Sequence, residues 1–175
     1  KKIYKITKKK PTFYNFDIKD VKKTSKVLKN KKIDLVFHLA AFKDVNESIK
    51  EPDKYYNNNI FGISNLIQAM QVSSVNNIIF SSSAVVYGEC KYLPLDEKHS
   101  TMPLSPYGLT KLFGEKFLDY ASVGNDKLKA ISLRYFNPVG AHSSGLIGES
   151  PNSIPNNLVP FISQVAVGNL TKLQI

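Results

Sequence analysis

The chain of 175 residues contains one cysteine and no apolar run of membrane-spanning length. Cys90 cannot form a disulfide within the chain, which fits a reducing compartment. A membrane-spanning helix needs about 20 apolar residues, and a secretory signal needs an apolar segment that the lysine-rich first residues lack. We therefore expect a cytosolic protein without a membrane partner.

Acidic residues are scarce in the first part of the chain. Lys1–Lys32 holds 13 of the 24 basic residues and only Asp17 and Asp20 as acids, so this segment carries +11 and the remainder −1. Aromatic residues do not interleave with these lysines as they would in a nucleic-acid stacking platform. We interpret the lysines as solvated charges and expect no nucleic-acid partner. The alternative is a non-enzymatic module that binds an anionic polymer through Lys1–Lys32.

Apolar runs alternate with helical patterns along the chain. The predicted strands are Thr12–Phe16, Ile33–Leu39, Asn76–Ser82 and Ala130–Tyr135. The predicted helices are Val21–Lys32, Pro52–Ser73, Tyr107–Ser122 and Leu158–Val167. Lys1–Lys10 is too charged to pack. This alternation predicts an α/β fold with a doubly wound, parallel, Rossmann-like sheet.

Small or polar residues follow each predicted strand. They are Asp17, Ala40 and Ala41, Ser83, and Tyr135–Pro138. Ligands of such sheets bind beyond the carboxyl ends of the strands. Tight turns also favour small residues, so each strand end alone is weak evidence, but together they indicate one site built from four loops.

A tyrosine and a lysine stand four residues apart at the start of one predicted helix, in the run Ser105–Lys111. Residues at this spacing share a helix face. An ammonium near a phenol lowers the phenol's pKa from about 10, toward values at which it acts as a base. Tyr107 is thus a candidate catalytic base. The same pair also occurs on ordinary helices as a ring beside a solvated charge, but Ser81–Ser83 and Arg134–Pro138 favour the catalytic interpretation.

Several further runs extend this pattern. They are His38–Lys43, Tyr55–Asn59, Phe80–Gly88, Ser105–Gly108, Leu133–His142 and Ile154–Leu158. In these runs the chain resembles the extended short-chain dehydrogenases/reductases, from about Thr12 to its end. The tyrosine-lysine pair marks only that broad superfamily, whereas Arg134–His142 and Pro155–Leu158 resemble its branch of UDP-sugar 4-epimerases.

This resemblance implies a mechanism. Tyr107 would take the proton of the sugar 4-hydroxyl, Ser83 would hydrogen-bond the same oxygen, and the C4 hydride would pass to NAD. The 4-keto sugar would then turn its other face and take the hydride back, which interconverts UDP-glucose and UDP-galactose. Lys111 would lower the pKa of Tyr107 and hold the nicotinamide ribose.

The resemblance also assigns the binding residues. The cofactor-binding residues would be Asp17, Ile18, Leu39, Ala40, Ala41, Lys43, Asn59, Tyr107, Lys111 and Tyr135. The residues that bind the UDP-sugar would be Lys43, Ser83, Tyr107, Asn137, Asn157 and Leu158. Amide side chains both donate and accept hydrogen bonds, which suits phosphate and uracil edges. We interpret His38 and His142 as structural, and because no residues have metal-ligand spacing we expect no metal.

The residues after Ser83 separate the possible reactions. Dehydratases that resemble this chain carry an Asp-Glu pair where Ala84 and Val85 stand, and decarboxylating relatives tend to keep the glutamate. Without an acid or base there, a 4-keto sugar can only be reduced again. Epimerisation remains, with N-acetylated UDP-sugars as alternative substrates.

Glycine is missing where a dinucleotide-binding chain needs it. The nine glycines lie at Gly62 and beyond, and Gly145 and Gly148 are the only pair at the required spacing, with no strand before them. We therefore expect a partial NAD-binding domain at 1–150 and the start of a substrate-binding region at 151–175, both parts of a longer enzyme. This stretch alone should be inactive and bind NAD weakly. The resemblance further implies a homodimer formed through Pro52–Ser73 and Tyr107–Ser122.

Overall fold

A computed structural model describes residues 1–149 and 157–173. It contains two compact units, which are Asn15–Phe136 and a second unit formed by Lys1–Tyr14 with the described residues after Phe136. The predicted domain boundary between residues 150 and 151 lies outside the described residues, so it stays a prediction.

The unit Asn15–Phe136 is built on a parallel sheet. Its described strands are β1 (Val36–His38), β2 (Asn77–Ser83) and β3 (Lys129–Tyr135), in the order β1-β2-β3. Both pairings are parallel, and Ser83 lies beside Tyr135 in the register. The predicted parallel α/β sheet is confirmed, and the carboxyl ends of its strands share one edge.

The predicted strand Thr12–Phe16 is wrong. Residues 12–16 lie outside helices and strands, and the side chain of Phe13 is 85% exposed. Strand propensity mostly reflects packing against neighbouring strands. Aromatic and β-branched residues alone therefore do not make this segment a strand.

Helices flank these strands along the chain. They are α1 (Lys2–Thr7), α2 (Val21–Asn30), α3 (Val45–Lys50), α4 (Pro52–Tyr55), α5 (Phe61–Ser73), α6 (Pro106–Gly124) and α7 (Leu158–Ala166). A π-helical turn, Tyr56–Ile60, interrupts the predicted helix Pro52–Ser73, and a 3-10 turn, Ala84–Val86, follows β2. The sequence did not predict α1, which buries none of its residues, or α3. No helix in the described part of the chain is long and apolar enough to cross a membrane.

Apolar side chains from α2, α5, α6, β2 and the segments just before β2 and β3 form the core of the sheet unit. The cluster contains Leu28, Ile63, Leu66, Ile67, Ala69, Met70, Val75, Ile78, Phe80, Leu118 and Leu128. Ile78 and Phe80 belong to it because alternate residues of β2 point to one face. The core therefore fixes β2, whose last residues lead into the candidate site.

Helix α6 lies unusually close to β2. A Cβ at Gly114 would lie 2.5 Å from Cζ of Phe80, so only glycine allows this approach. Ser105 caps the start of the helix, because its Oγ accepts a hydrogen bond from the N–H of Gly108 at 3.1 Å, and Pro106 is the first helical residue. Together these features place the first turns of α6 against the carboxyl end of β2.

Candidate active site

Tyr107 lies in the first turn of α6 and is 8% exposed. The edge of its ring packs against the ring of Tyr55, with centroids 6.4 Å apart. Burial raises the pKa of Tyr107, and hydrogen bonding with the Ser83 side chain lowers it by a smaller amount. The phenol is therefore held in an apolar setting, with one hydroxyl that favours its ionised form.

Lys111 lies one turn further along α6, and its side chain is almost completely buried. Its Nζ donates a hydrogen bond to the carbonyl oxygen of Ser81 at 2.7 Å and lies 5.8 Å from the ring centroid of Tyr107. It also lies 5.1 Å from the ring centroid of Phe80. Burial lowers the pKa of Lys111 to about 8.

In the structure, Lys111 does not lower the pKa of Tyr107 as we expected from the sequence. We expected the ammonium to lower the pKa of the phenol, but burial dominates and raises it. The reason is geometric, because Nζ of Lys111 is bound to the Ser81 carbonyl and faces aromatic rings. In this arrangement Ser83, rather than Lys111, lowers the pKa of Tyr107.

Ser83 is the last residue of β2, and its Oγ accepts a weak hydrogen bond from the N–H of Val85 at 3.4 Å. Tyr135, its neighbour in the register, ends β3 with 40% of its surface exposed. The carboxyl edge of the sheet thus brings together four of the predicted site residues, which are Tyr107, Lys111, Ser83 and Tyr135. A buried phenol beside a hydroxyl can take a proton from a bound alcohol and return it.

The end of β1 supplies a different surface at the same edge. Leu39 is 62% exposed, Ala40 and Lys43 are exposed, and Ala41 is half-buried. Small and apolar side chains at a strand end suit the flat face of a ring, and a lysine suits an anionic group. These residues could hold part of a dinucleotide, as predicted from the sequence.

Asn59 lies in the π-helical turn, and its side chain makes several hydrogen bonds within the protein. Its Oδ1 accepts from the N–H of Phe42 at 2.9 Å, and its Nδ2 donates to the carbonyl oxygen of Phe42 at 3.0 Å and to Oγ1 of Thr110 at 3.1 Å. Thr110 in turn donates to the carbonyl oxygen of Tyr107 at 2.7 Å. Asn59 therefore connects the loop after β1 to the turn that carries Tyr107, and direct contact with a cofactor stays a prediction.

Asp17 and Ile18 lie in a loop before α2 rather than at a strand end. Oδ1 of Asp17 accepts from the N–H of Lys19 at 2.8 Å, and its carboxylate lies 3.5 Å from Nζ of Lys19. The half-buried Ile18 faces Gly62, where a Cβ would lie 3.6 Å from its Cδ1. Their adenine-binding role stays a prediction.

The remaining predicted substrate residues belong to the second unit. Asn137 and Leu158 are exposed, and Asn157 precedes α7, with its Nδ2 donating to Oε1 of Glu149 at 3.4 Å. Residues 154–156 of the matching run lie outside the described residues. The roles of Asn137, Asn157 and Leu158 therefore stay predictions.

The sequence interpretation missed two groups of residues beside Tyr107 and Lys111. The Tyr55 hydroxyl donates to Oε2 of Glu47 at 2.7 Å, and the Tyr55 side chain, which packs on Tyr107, is fully buried. Glu115, four residues after Lys111, binds Arg134 with Nη2–Oε2 at 2.7 Å. Only the repeated spacing of four residues on α6 could have indicated Glu115. No group of three or more His, Cys, Asp or Glu side chains among residues 1–149 and 157–173 could hold a metal ion.

Comparison with known proteins agrees with this geometry. The sequence model of the family described as GDP-mannose 4,6 dehydratase matches residues 1–175, and the chain belongs to this family. The chain is 48% identical over 175 residues to a UDP-glucose 4-epimerase of Drosophila melanogaster, covering 99% of this chain and 50% of that protein.

Two solved structures extend the comparison. A UDP-glucose-4-epimerase from Stenotrophomonas maltophila, with bound NAD and formylated UDP-arabinopyranose, superposes with a TM-score of 0.95 at 46% identity, over 99% of this chain and 52% of that chain. A UDP-N-acetylglucosamine 4-epimerase from Methanobrevibacter ruminantium, in complex with UDP-N-acetylmuramic acid, is less similar, with a TM-score of 0.76 and 36% identity over 90% of this chain and 48% of that chain. The Rossmann-like fold is thereby confirmed. The chain spans about half the length of the curated relatives that it matches.

Proposed function

We propose that the whole protein is an NAD-dependent epimerase that interconverts UDP-glucose and UDP-galactose by inverting C4 of the sugar. The observation that carries this proposal is the buried Tyr107 phenol at the carboxyl edge of the sheet, beside the Ser83 side chain that lowers its pKa and one turn before Lys111. The relatives named UDP-glucose 4-epimerase, at 46–48% identity, support the same reaction.

In this proposal Tyr107 accepts the proton of the sugar 4-hydroxyl and later returns it. Ser83 hydrogen-bonds the same oxygen and favours the phenolate, because it is the group that lowers the pKa of Tyr107. When bound, NAD would accept the hydride from C4 and give it back to the opposite face. Lys111, held by the Ser81 carbonyl, would place its Nζ toward the nicotinamide ribose.

The chemistry of the strand ends fits this cofactor. The exposed Leu39 and Ala40, with Ala41, would contact its rings, Lys43 would meet a negatively charged group, and Tyr135 would pack near the nicotinamide. Asp17 and Ile18 would contact adenine, and Asn59 would hold the loop that carries Lys43 through Phe42. Lys43, Asn137, Asn157 and Leu158 would bind the UDP-sugar.

The choice of epimerisation rests on the turn after Ser83. The family description names a dehydratase, and the dehydratases that this chain resembles use an acidic pair at the positions of Ala84 and Val85. These residues form the 3-10 turn that leads out of β2, and neither side chain can exchange a proton. A 4-keto sugar formed beside Tyr107 would therefore be reduced again rather than dehydrated.

We also propose a cytosolic homodimer, formed through α5 and α6. On α6, Leu109, Phe113 and Tyr120 recur at helical spacing and are 47%, 37% and 76% exposed. On α5, Phe61 and Val72 are 53% and 66% exposed, eleven residues apart and hence on one face. Exposed apolar stripes on two helices are what a helical dimer interface buries.

The test is an assay of C4 inversion by the full-length protein, with UDP-galactose and UDP-N-acetylgalactosamine in parallel. We expect turnover of UDP-galactose, and Tyr107→Phe should lower kcat by about 10²- to 10⁴-fold while NAD affinity stays nearly unchanged. Tyr4→Phe makes the same change at an exposed tyrosine of α1, so it is the matched control and should retain wild-type rates. A fully active Tyr107→Phe variant would remove Tyr107 from the mechanism, and exclusive turnover of the N-acetylated sugar would replace the proposed substrate.

The polyanion-binding alternative predicts a different response to salt. Neutralising several phosphates with Lys1–Lys32 would make affinity for a nucleic acid fall steeply between about 50 and 200 mM salt. We expect no such binding, since the excess charge lies on solvated lysines. Salt-sensitive binding of an anionic polymer, together with no epimerisation, would favour the non-enzymatic module.

A further inference from the structure

Three consecutive residues of β2, Ser81 to Ser83, face three different turns of α6. The Ser81 carbonyl accepts a hydrogen bond from Lys111, Oγ of Ser82 donates to Oε1 of Glu115, and the side chain of Ser83 lies beside Tyr107 and lowers its pKa. Tyr107, Lys111 and Glu115 are spaced by four residues and therefore lie on one face of α6. The catalytic pair thus belongs to a longer row of contacts that ends in a buried carboxylate.

Glu115 is also bound by the neighbouring strand. Arg134 donates through Nη2 to Oε2 at 2.7 Å and through Nε to Oε1 at 3.0 Å, which is a two-pronged pairing of fixed orientation. In the register Arg134 lies beside Ser82, and the next pair is Ser83 beside Tyr135. Glu115 therefore joins α6 to both strands one residue before the strands reach the candidate site.

Stability alone does not account for this ion pair. Glu115 is 5% exposed, and taking two charges out of water costs about as much as their attraction returns. The Arg134 side chain is 20% exposed, so the two charges are removed from water unequally. An ion pair with fixed geometry can nevertheless specify how two elements align.

We propose that Glu115 and Arg134 are positioning residues that set the alignment of α6 on β2 and β3, and so hold the Tyr107 phenol against Ser83. This inference rests on the proposed function only in taking Tyr107 as the catalytic base. The guanidinium of Arg134 also stacks on the ring of Tyr87, with Cζ 4.8 Å from the ring centroid, just beyond the 3-10 turn that follows Ser83. The same arginine therefore also holds the chain that leaves the site.

The proposal is tested with two single variants, a paired variant and a control in the full-length protein. Glu115→Gln and Arg134→Lys weaken the two-pronged pairing, and Glu115→Leu with Arg134→Met replaces both charges by apolar groups of similar size. Asp119→Asn makes the same acid-to-amide change one turn further along α6, where the carboxylate is exposed. We expect the paired variant to unfold near the wild-type midpoint.

The kcat of the paired variant should nevertheless fall by roughly ten- to a hundred-fold with little change in KM, since small displacements of a catalytic group have effects of this size. The control should behave as the wild type. If Tyr107 moves away from Ser83 in the variants, the pKa of Tyr107 rises, because Ser83 is the group that lowers it. The pH at which kcat increases should therefore be higher in the variants than in the wild type. The groups facing Tyr107, which are Lys111, Tyr55 and Ser83, are unchanged in every variant.

A second readout does not depend on turnover. The 13C signal of the Tyr107 ring carbon that bears the hydroxyl, assigned by its loss in Tyr107→Phe, should titrate at higher pH in the variants than in the wild type. An unchanged kcat and an unchanged Tyr107 titration in the paired variant would overturn the proposal. If the paired variant does not fold, the single variants decide by the same two readouts. If the wild-type protein has no epimerase activity, the proposed function is refuted. The Tyr107 titration in the variants would then test the positioning role of Glu115 and Arg134 by itself.

Discussion

Replacing Lys111 by methionine should remove the lysine that we propose for catalysis and yet make the fold more stable at neutral pH. The ammonium is buried beside aromatic rings, and burial lowers its pKa from the ordinary value of 10.5 to about 8. A charged Lys111 therefore destabilises the native state relative to the unfolded state, in which the ammonium is fully hydrated.

The size of this effect follows from the pKa values. A fall from 10.5 to about 8 corresponds to about 3 kcal/mol, at about 1.4 kcal/mol for each pH unit. Methionine cannot donate to the Ser81 carbonyl, and an unsatisfied buried acceptor costs about 1–3 kcal/mol. We therefore expect Lys111→Met to raise the free energy of unfolding by about 1 kcal/mol at pH 7.

The dependence on pH is the sharper test. Below pH 8 both states of the wild type are protonated and the cost of burial is complete, and between pH 8 and 10.5 the native state loses its proton first. Wild-type stability should thus rise relative to Lys111→Met across this window. Urea unfolding followed by circular dichroism at pH 7, 8, 9 and 10 measures the difference, with the exposed Lys116→Met as control. A constant difference over this range would refute the reasoning.

The other predictions concern the elements around this lysine. Ser83→Ala should raise the pKa of Tyr107 and move the pH-rate profile upward; an unchanged profile would show that Ser83 does not act on the phenol. Gly114→Ala places a methyl group against the buried ring of Phe80 and should destabilise the fold by about 1–3 kcal/mol in urea unfolding, whereas Gly124→Ala, which has open space around it, should not. Asn59→Leu should lower both stability and kcat, because Phe42 and Thr110 lose their shared partner; normal values in both assays would contradict this role. Phe113→Glu should convert a dimer to a monomer in sedimentation experiments, and a dimer that persists would place the interface elsewhere.

The parallel sheet was predictable because β2 and β3 carry apolar residues in sequence. Helix α6 was predictable because a serine followed by a proline is typical of a helix N-terminus, as at Ser105 and Pro106. Tyr107, Lys111 and Ser83 were predictable as neighbours since helix spacing and strand ends are local properties of the sequence. The strand at 12–16 failed because pairing depends on a distant partner. The pKa of Tyr107 was equally out of reach, since burial and the direction of the Lys111 side chain depend on packing.

Glu115, Arg134 and Asn59 show another limit of the sequence. Glu115 and Arg134 are nineteen residues apart, and their pairing depends on the register of β2 and β3. Asn59 was predicted near a cofactor, but its hydrogen bonds depend on a turn of π-helix that no residue pattern in Pro52–Ser73 signals.

The π-helical turn Tyr56–Ile60 changes the rotational phase of the helix that contains it. Before the turn, Tyr55 faces Tyr107, and after it, Ile63 and Ile67 face the core. Such turns behave as single-residue insertions in an α-helix, and they concentrate at functional sites. Deleting one residue from Tyr56–Ile60 would restore regular helix hydrogen bonds but rotate one of these two faces out of place. A regular α-helix in this place would lose either the packing of Tyr55 on Tyr107 or part of the core. The π-helical turn therefore supplies the rotation that lets one helical segment serve both.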